Sequence, residues 1–134
     1  MGSRGAFVDV NINDFTFRLG GQNYFSLGTL SSNENVKVLV QTSGAVKAPE
    51  YSHTENRIYA IIQKGILKHV TYYDKDHNQA ISIDLTIPHD HILPHKHIYL
   101  DHKTAYPISE AESKLIAKIK KEYHLKWEKM NTIT

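Results

Sequence analysis

The stretch Arg57-Ile58-Tyr59-Ala60-Ile61-Ile62-Gln63-Lys64-Gly65-Ile66-Leu67-Lys68-His69-Val70-Thr71-Tyr72-Tyr73 decides the fold class of this chain. Two β-rich runs flank Lys64-Gly65, a pair suited to a tight hairpin turn. Asp74 to Asn78 supplies a second turn, and Gln79 to Ile87 reads as a third strand. In that strand Ile81, Ile83, Leu85 and Ile87 point one way, and Ser82, Asp84 and Thr86 the other. The pattern predicts a three-stranded antiparallel meander over roughly 57–87 with one buried face.

Upstream, Phe7 to Ile12 and Asp14 to Leu19 alternate at period two, and Gly20-Gly21-Gln22-Asn23 supplies a turn. Tyr24 to Leu30 and Val36 to Gln41 are further expected strands, with Ser31 to Asn35 a loop by composition. Thr42 to Glu50, which contains Gly44 and Pro49, is the best internal boundary. Downstream, Ser109-Glu110-Ala111-Glu112 is a capping box that opens an amphipathic helix over about 110–124. Ala111, Leu115, Ile116, Ile119 and Tyr123 recur at helical spacing on its apolar side. Lys114, Lys118, Lys120 and Lys121 form a solvated face opposite. The expected architecture is α+β, one domain over 1–134. Its β-rich N-terminal part is 1–45, and 46–134 holds the meander, a histidine-rich segment and a helix packed on the sheet.

The chain has 134 residues and no cysteine, so disulfides, thiolate metal sites and thiol nucleophiles are excluded. No apolar run approaches the roughly 18 residues of a membrane span, so no membrane partner is expected. Met1-Gly2-Ser3 resembles a cloning scar, which points to a longer parent polypeptide. Formal net charge is +2 with neutral histidines, which permits a polyanionic partner without demanding one. Oligomeric state is not specified by these features.

Seven of the nine histidines fall between His69 and His102, four of them inside His89-Asp90-His91-Ile92-Leu93-Pro94-His95-Lys96-His97. Histidine gives or takes a proton near neutral pH and is the commonest metal ligand. On an extended chain His89 and His91 project together, as do His95 and His97. Pro88 and Pro94 place the segment at a sheet edge or in a loop after the third strand. Three readings follow. As a metal site, His89, His91, His95 and His97, with Asp84, Asp90 or Asp101, suit zinc or another divalent ion in a hydrolase or cupin-like protein. The spacing nevertheless misses the His-x-His-x-Asp-His and cupin patterns. As an acid–base site, which needs no resident cofactor and is the favoured reading, His95 and His97 exchange protons and His91 or Asp84 orients them. Arg57 then clamps a phosphate, and Tyr51 and Ser52 add contacts to RNA. As the bland alternative, the histidines are solvated in a structural module. His69, His77, His102 and His124 fit that description best.

The run Pro49-Glu50-Tyr51-Ser52-His53-Thr54-Glu55-Asn56-Arg57-Ile58-Tyr59, the Lys-Gly hairpin and Val70-Thr71-Tyr72-Tyr73-Asp74 precede Ile83-Asp84-Leu85, His89 and Pro94-His95-Lys96-His97. This series resembles C-terminal domains of phage minor head proteins and related polymorphic toxins, which are similar to the barnase/EndoU/colicin/RelE-like nuclease group. The resemblance covers about 49–102. It implies a metal-independent ribonuclease of phage or prophage origin, acting on RNA in a bacterial cytoplasm or carried in a phage head. The N-terminal strands depart from the leading helices of that group.

Overall fold

The computed structural model describes residues 16–19, 22–41, 44–52, 54–99 and 101–133. They form β1 (Thr16–Leu19), β2 (Gln22–Leu30), β3 (Asn33–Gln41), β4 (Ile58–Gln63), β5 (Ile66–Tyr73), β6 (Gln79–Asp84), β7 (His95–Ile98), β8 (Asp101–Pro107) and α1 (Glu110–Ile133). The strands lie in chain order in one eight-stranded sheet. Every neighbouring pair is antiparallel except β3 and β4, which run parallel. The expected α+β class and the meander of β4, β5 and β6 are therefore present. Phe7 to Ile12 lies outside the described residues.

Local chemistry accounts for the turns. Lys64 and Gly65 take left-handed angles, φ 55° and 77°, and Gln63 pairs with Ile66 across them. Two such residues make the primed turn whose twist matches that of the flanking strands. The strand after the second turn is shorter than its isoleucine pattern suggests. Asp84 Oδ1 accepts from the Thr86 and Ile87 backbone N–H groups, both at 2.9 Å, and this local turn ends β6 at Asp84. Strand β3 begins earlier than expected, because Leu30 pairs with Asn33 and the loop shrinks to Ser31-Ser32.

The larger departures are β7 and β8. The sequence reading put the histidine segment at an edge or in a loop, yet His95–Ile98 pairs with β6 and Asp101–Pro107 with β7. Pro94 lies just before β7 and Pro107 ends β8, so neither proline interrupts a central ladder.

Helix α1 covers one face of the sheet. Ile116, Ile119 and Tyr123 pack with Val36, Val38, Ala60, Ile62, Val70 and Ile83. Each fully buried aliphatic side chain contributes about 1.5–3 kcal/mol. The capping box forms reciprocally. Glu112 accepts from the Ser109 N–H at 2.7 Å, and Ser109 Oγ accepts from the Glu112 N–H at 3.1 Å. Ala111, expected on the apolar side, is exposed because it lies in the first turn, beyond the sheet contact. The described lysines Lys114, Lys118, Lys120 and Lys121 are exposed, as a solvated face requires.

The other face is covered by the crossover between β3 and β4, a parallel step that antiparallel hairpins cannot make. Among its described residues there is no helix, and side chains bond its backbone. Tyr24 donates to the Lys47 carbonyl, and Tyr73 donates to that of Pro49. Gln79 Nε2 also donates to Pro49 (2.9 Å), Gln63 Nε2 to Gly44 and Gln41 Nε2 to Ala45, each of the last two at 2.7 Å. Val46 and Ala48 pack over Leu39, Tyr59, Ile61 and Tyr73. The described part of the expected boundary, residues 44–50, thus lies within a crossover of one continuous sheet. The apolar part of that cover rests on β2 to β5, the Pro49 carbonyl reaches Gln79 at the start of β6, and the same face carries polar side chains farther along β6 and on β7.

A three-histidine candidate site on the sheet

Directly paired residues of an antiparallel sheet share a face. One cross-strand row runs Ile61, His69, Asp84, His95, and the next runs Tyr59, Thr71, Ser82, His97. Ile61 and Tyr59 belong to the crossover face, so His95 and His97 do too. Lys96, between them, points to the helix face and reaches Glu112 Oε1 at 3.0 Å. Burial alone would raise the Glu112 carboxyl. The Ser109 N–H and the Lys96 ammonium more than offset this and hold it below its ordinary value.

His89 arrives from a different element. Its N–H donates to the Ile92 carbonyl at 3.2 Å and the Ile92 N–H donates back at 2.9 Å. Asp90 and His91 between them have φ of 53° and 65°. This is a primed two-residue turn built from side chains that tolerate left-handed angles less readily than glycine, and such strained positions cluster at functional sites. The turn folds His89 back over β7, with its ring centroid 5.5 Å from that of His95 and 5.2 Å from that of His97. The His95 and His97 rings are 4.9 Å apart.

One ligand nitrogen from each of His89, His95 and His97 can be chosen so that all lie within 4.8 Å of one another. Tetrahedral coordination at about 2.0–2.1 Å puts such nitrogens about 3.3 Å apart, so each ring would move by under about 1 Å to enclose an ion. His97 is already oriented for this. Its Nδ1 is 2.9 Å from the Thr104 carbonyl, which can only accept, so Nδ1 carries the hydrogen and neutral His97 keeps its lone pair on Nε2. Asp101 Oδ1 accepts from the Lys103 and Thr104 N–H groups and holds that turn in place. The Thr104 N–H in turn keeps the Asp101 carboxyl below the usual carboxylate range.

His95 is the most buried of the three, 4% exposed, and its Nδ1 has no hydrogen-bond partner. An unpartnered buried polar atom costs about 1–3 kcal/mol unless something binds it. Burial lowers the His95 pKa below the ordinary imidazole value. Asp84 opposes that shift, His97 and His89 reinforce it, and the Ile87 carbonyl opposes it. His69 Nε2 lies 3.4 Å from Asp84 Oδ2, and its pKa is lowered, first by burial and against the pull of Asp84.

The expected site residues therefore separate. His89, His95 and His97 converge, and Asp84 stands beside His95 in the next strand. His91 does not join them, since it is exposed at the turn tip. Asp90 Oδ2 approaches His89 Nε2 at 3.8 Å. Arg57 lies just before β4, and β4 is three strands from β7, about 14 Å at ordinary strand spacing. Its guanidinium donates to the Glu34 carbonyl at 3.1 Å and to Thr54 Oγ1 at 2.9 Å. It ties the start of β3 to the crossover. Ser52 is buried and donates to the Thr54 carbonyl. Tyr51 is exposed and lines a groove of about 240 Å³ that reaches His97.

His69, expected among the solvated histidines, is half-buried and lies against Asp84. The signal was present in the meander register, which sets His69 opposite Asp84, although neither is close to the other in sequence. His77, expected to be solvated, has its Nδ1 bonded to the Ser52 carbonyl at 3.0 Å and ties its turn to the crossover.

Among the described residues no helix is long and apolar enough to cross a membrane. No family model matches the chain, and no curated protein or solved structure matches it either.

Proposed function

We propose that His89, His95 and His97 form a centre for a divalent transition ion of the zinc type, with a coordination position open to substrate, and that the protein is a metal-dependent hydrolase. One observation carries this reading: imidazoles from a turn and from one strand face converge within ligating distance, and the most buried keeps an unpartnered nitrogen. Three histidines with an open fourth position are a donor set of catalytic zinc sites. Such an ion, when bound, lowers the pKa of a water to about 7 and polarises carbonyl or phosphoryl oxygens. The chain's own residues hold the geometry. The Thr104 carbonyl fixes the His97 ring, and burial lowers the His95 pKa, the direction that favours the neutral, ligating form. Asp84, pinned by two backbone N–H groups, orders the carboxylate beside His95 and His69.

A metal-free ribonuclease is the second reading, favoured by a His95 imidazole whose pKa burial lowers and whose ring centroid is 4.9 Å from that of His97. It requires a cation to steady the phosphorane. Arg57 is committed to Glu34 and Thr54 elsewhere on the sheet, so that role needs another group. An activity screen on RNA and on ester and amide substrates separates the two. Turnover abolished by a chelator and restored by zinc supports the metal centre, and RNA cleavage that survives chelation overturns it.

A further inference from the structure

The groove beside the site has a composition that selects its occupant. One wall is the end of the crossover, Glu50 and Tyr51, joined to the sheet by the Tyr51–Asn78 bridge. The floor is Gln79 to Ser82 of β6, and the far wall is His97 to Tyr99 at the end of β7. Tyr51 and Tyr99 are each 54% exposed, and they come from different elements. The remaining polar lining is the amides of Asn78 and Gln79, the Ser82 hydroxyl, the His97 imidazole and the Glu50 carboxylate, and among the described residues no lysine or arginine lines it.

A polyanion would bring its phosphates beside Glu50 with no lysine or arginine among the described lining residues to meet them, whereas recognition of nucleic acid relies on Lys and Arg at the backbone. Exposed tyrosines offer apolar ring faces with a polar tip. Amides and a carboxylate offer several acceptors and donors close together. Pyranose rings match both, with an apolar face of C–H groups and a rim of hydroxyls. The volume, about 240 Å³, lies below the roughly 300–1,000 Å³ of drug-sized pockets and suits a single ring. We propose that this groove binds one ring of a neutral saccharide. That the bound sugar is also a substrate rests on the histidine centre, because His97 belongs to both.

The test is amide NMR of the full chain in excess chelator, titrated separately with chitohexaose, cellohexaose, maltohexaose and a short poly(U) RNA. One of the neutral glycans is expected to shift Tyr51, Ala80, Ser82 and Tyr99 saturably. The Tyr51→Ala/Tyr99→Ala double variant is expected to weaken that binding at least about tenfold. Both side chains are largely exposed, and an unchanged variant spectrum away from the groove verifies folding. No shift with any glycan at millimolar concentration overturns the proposal, as does binding of poly(U) in the groove by a protein that ignores the glycans. A zinc titration of a parallel, chelator-free sample reads the histidine centre independently. Glycan binding without zinc binding retains the groove and removes the metal, and zinc binding without glycan binding does the reverse.

Discussion

The two faces of β7 treat their polar side chains in opposite ways. On the helix face Lys96 meets Glu112, whose carboxylate also accepts from the Ser109 N–H, so the pair closes the helix cap onto the sheet. On the crossover face His95 and His97 meet a third imidazole, and no carboxylate hydrogen-bonds to the buried Nδ1 of His95. One side is a satisfied structural ion pair. The other keeps one buried ligand nitrogen, His95 Nδ1, without a hydrogen-bond partner, and a native structure holds few such groups.

This comparison can be broken or sharpened by substitution. The largest effect is expected at the histidines. His95→Ala or His97→Ala should weaken zinc binding more than about 100-fold by calorimetry, with the folded CD spectrum retained. A variant that still binds zinc as tightly as the parent would reduce the cluster to chance proximity. Asp84→Asn should lower zinc affinity by about 10–100-fold, as loss of a carboxylate that supports ligands commonly does. Equal affinity would confine Asp84 to capping its turn.

On the opposite face, Lys96→Met should cost about 1.5–3 kcal/mol in urea unfolding and leave zinc affinity within about twofold. A change in zinc affinity matching that of the histidine variants would mean that the two faces are coupled. The same pair sets an acid limb. Glu112 has a folded pKa below its unfolded value, so it binds fewer protons folded than unfolded, and its stabilisation is present above the unfolded pKa. That contribution is lost as pH falls through the folded pKa. The stability gap between the parent and Glu112→Gln should therefore be constant near neutrality and close below about pH 4. A gap that persists at pH 2 would contradict the assignment. The smallest effect is expected at Gly65, where φ of 77° makes Gly65→Ala cost about 1–2 kcal/mol without touching either face of β7.

What could be read from the sequence was local. The Lys64-Gly65 turn, the alternation of β6 and the Ser109/Glu112 cap each depend on residues within a few positions of one another. The parallel β3–β4 step, β7 and β8 depend on partners far along the chain, and short polar strands rich in histidine carry little β pattern of their own. The site followed the same division. His95 and His97 share a face by simple alternation, so their pairing was legible. Of the expected pair His89 and His91 only His89 joins them, because the chain reverses at this turn and the i, i+2 rule does not survive a reversal. Arg57 looked like a phosphate clamp by residue type, and only the fold shows its guanidinium held by Glu34 and Thr54.

The central claim is that His89, His95 and His97 act together on one ion. Its most direct test is zinc titration of tag-free protein by calorimetry, with bound metal counted by elemental mass spectrometry after dialysis. The account predicts one zinc per chain, with binding weakened in each of His89→Ala, His95→Ala and His97→Ala and preserved in His91→Ala. Zinc that fails to bind, or binding lost in His91→Ala and intact in His89→Ala, would contradict it.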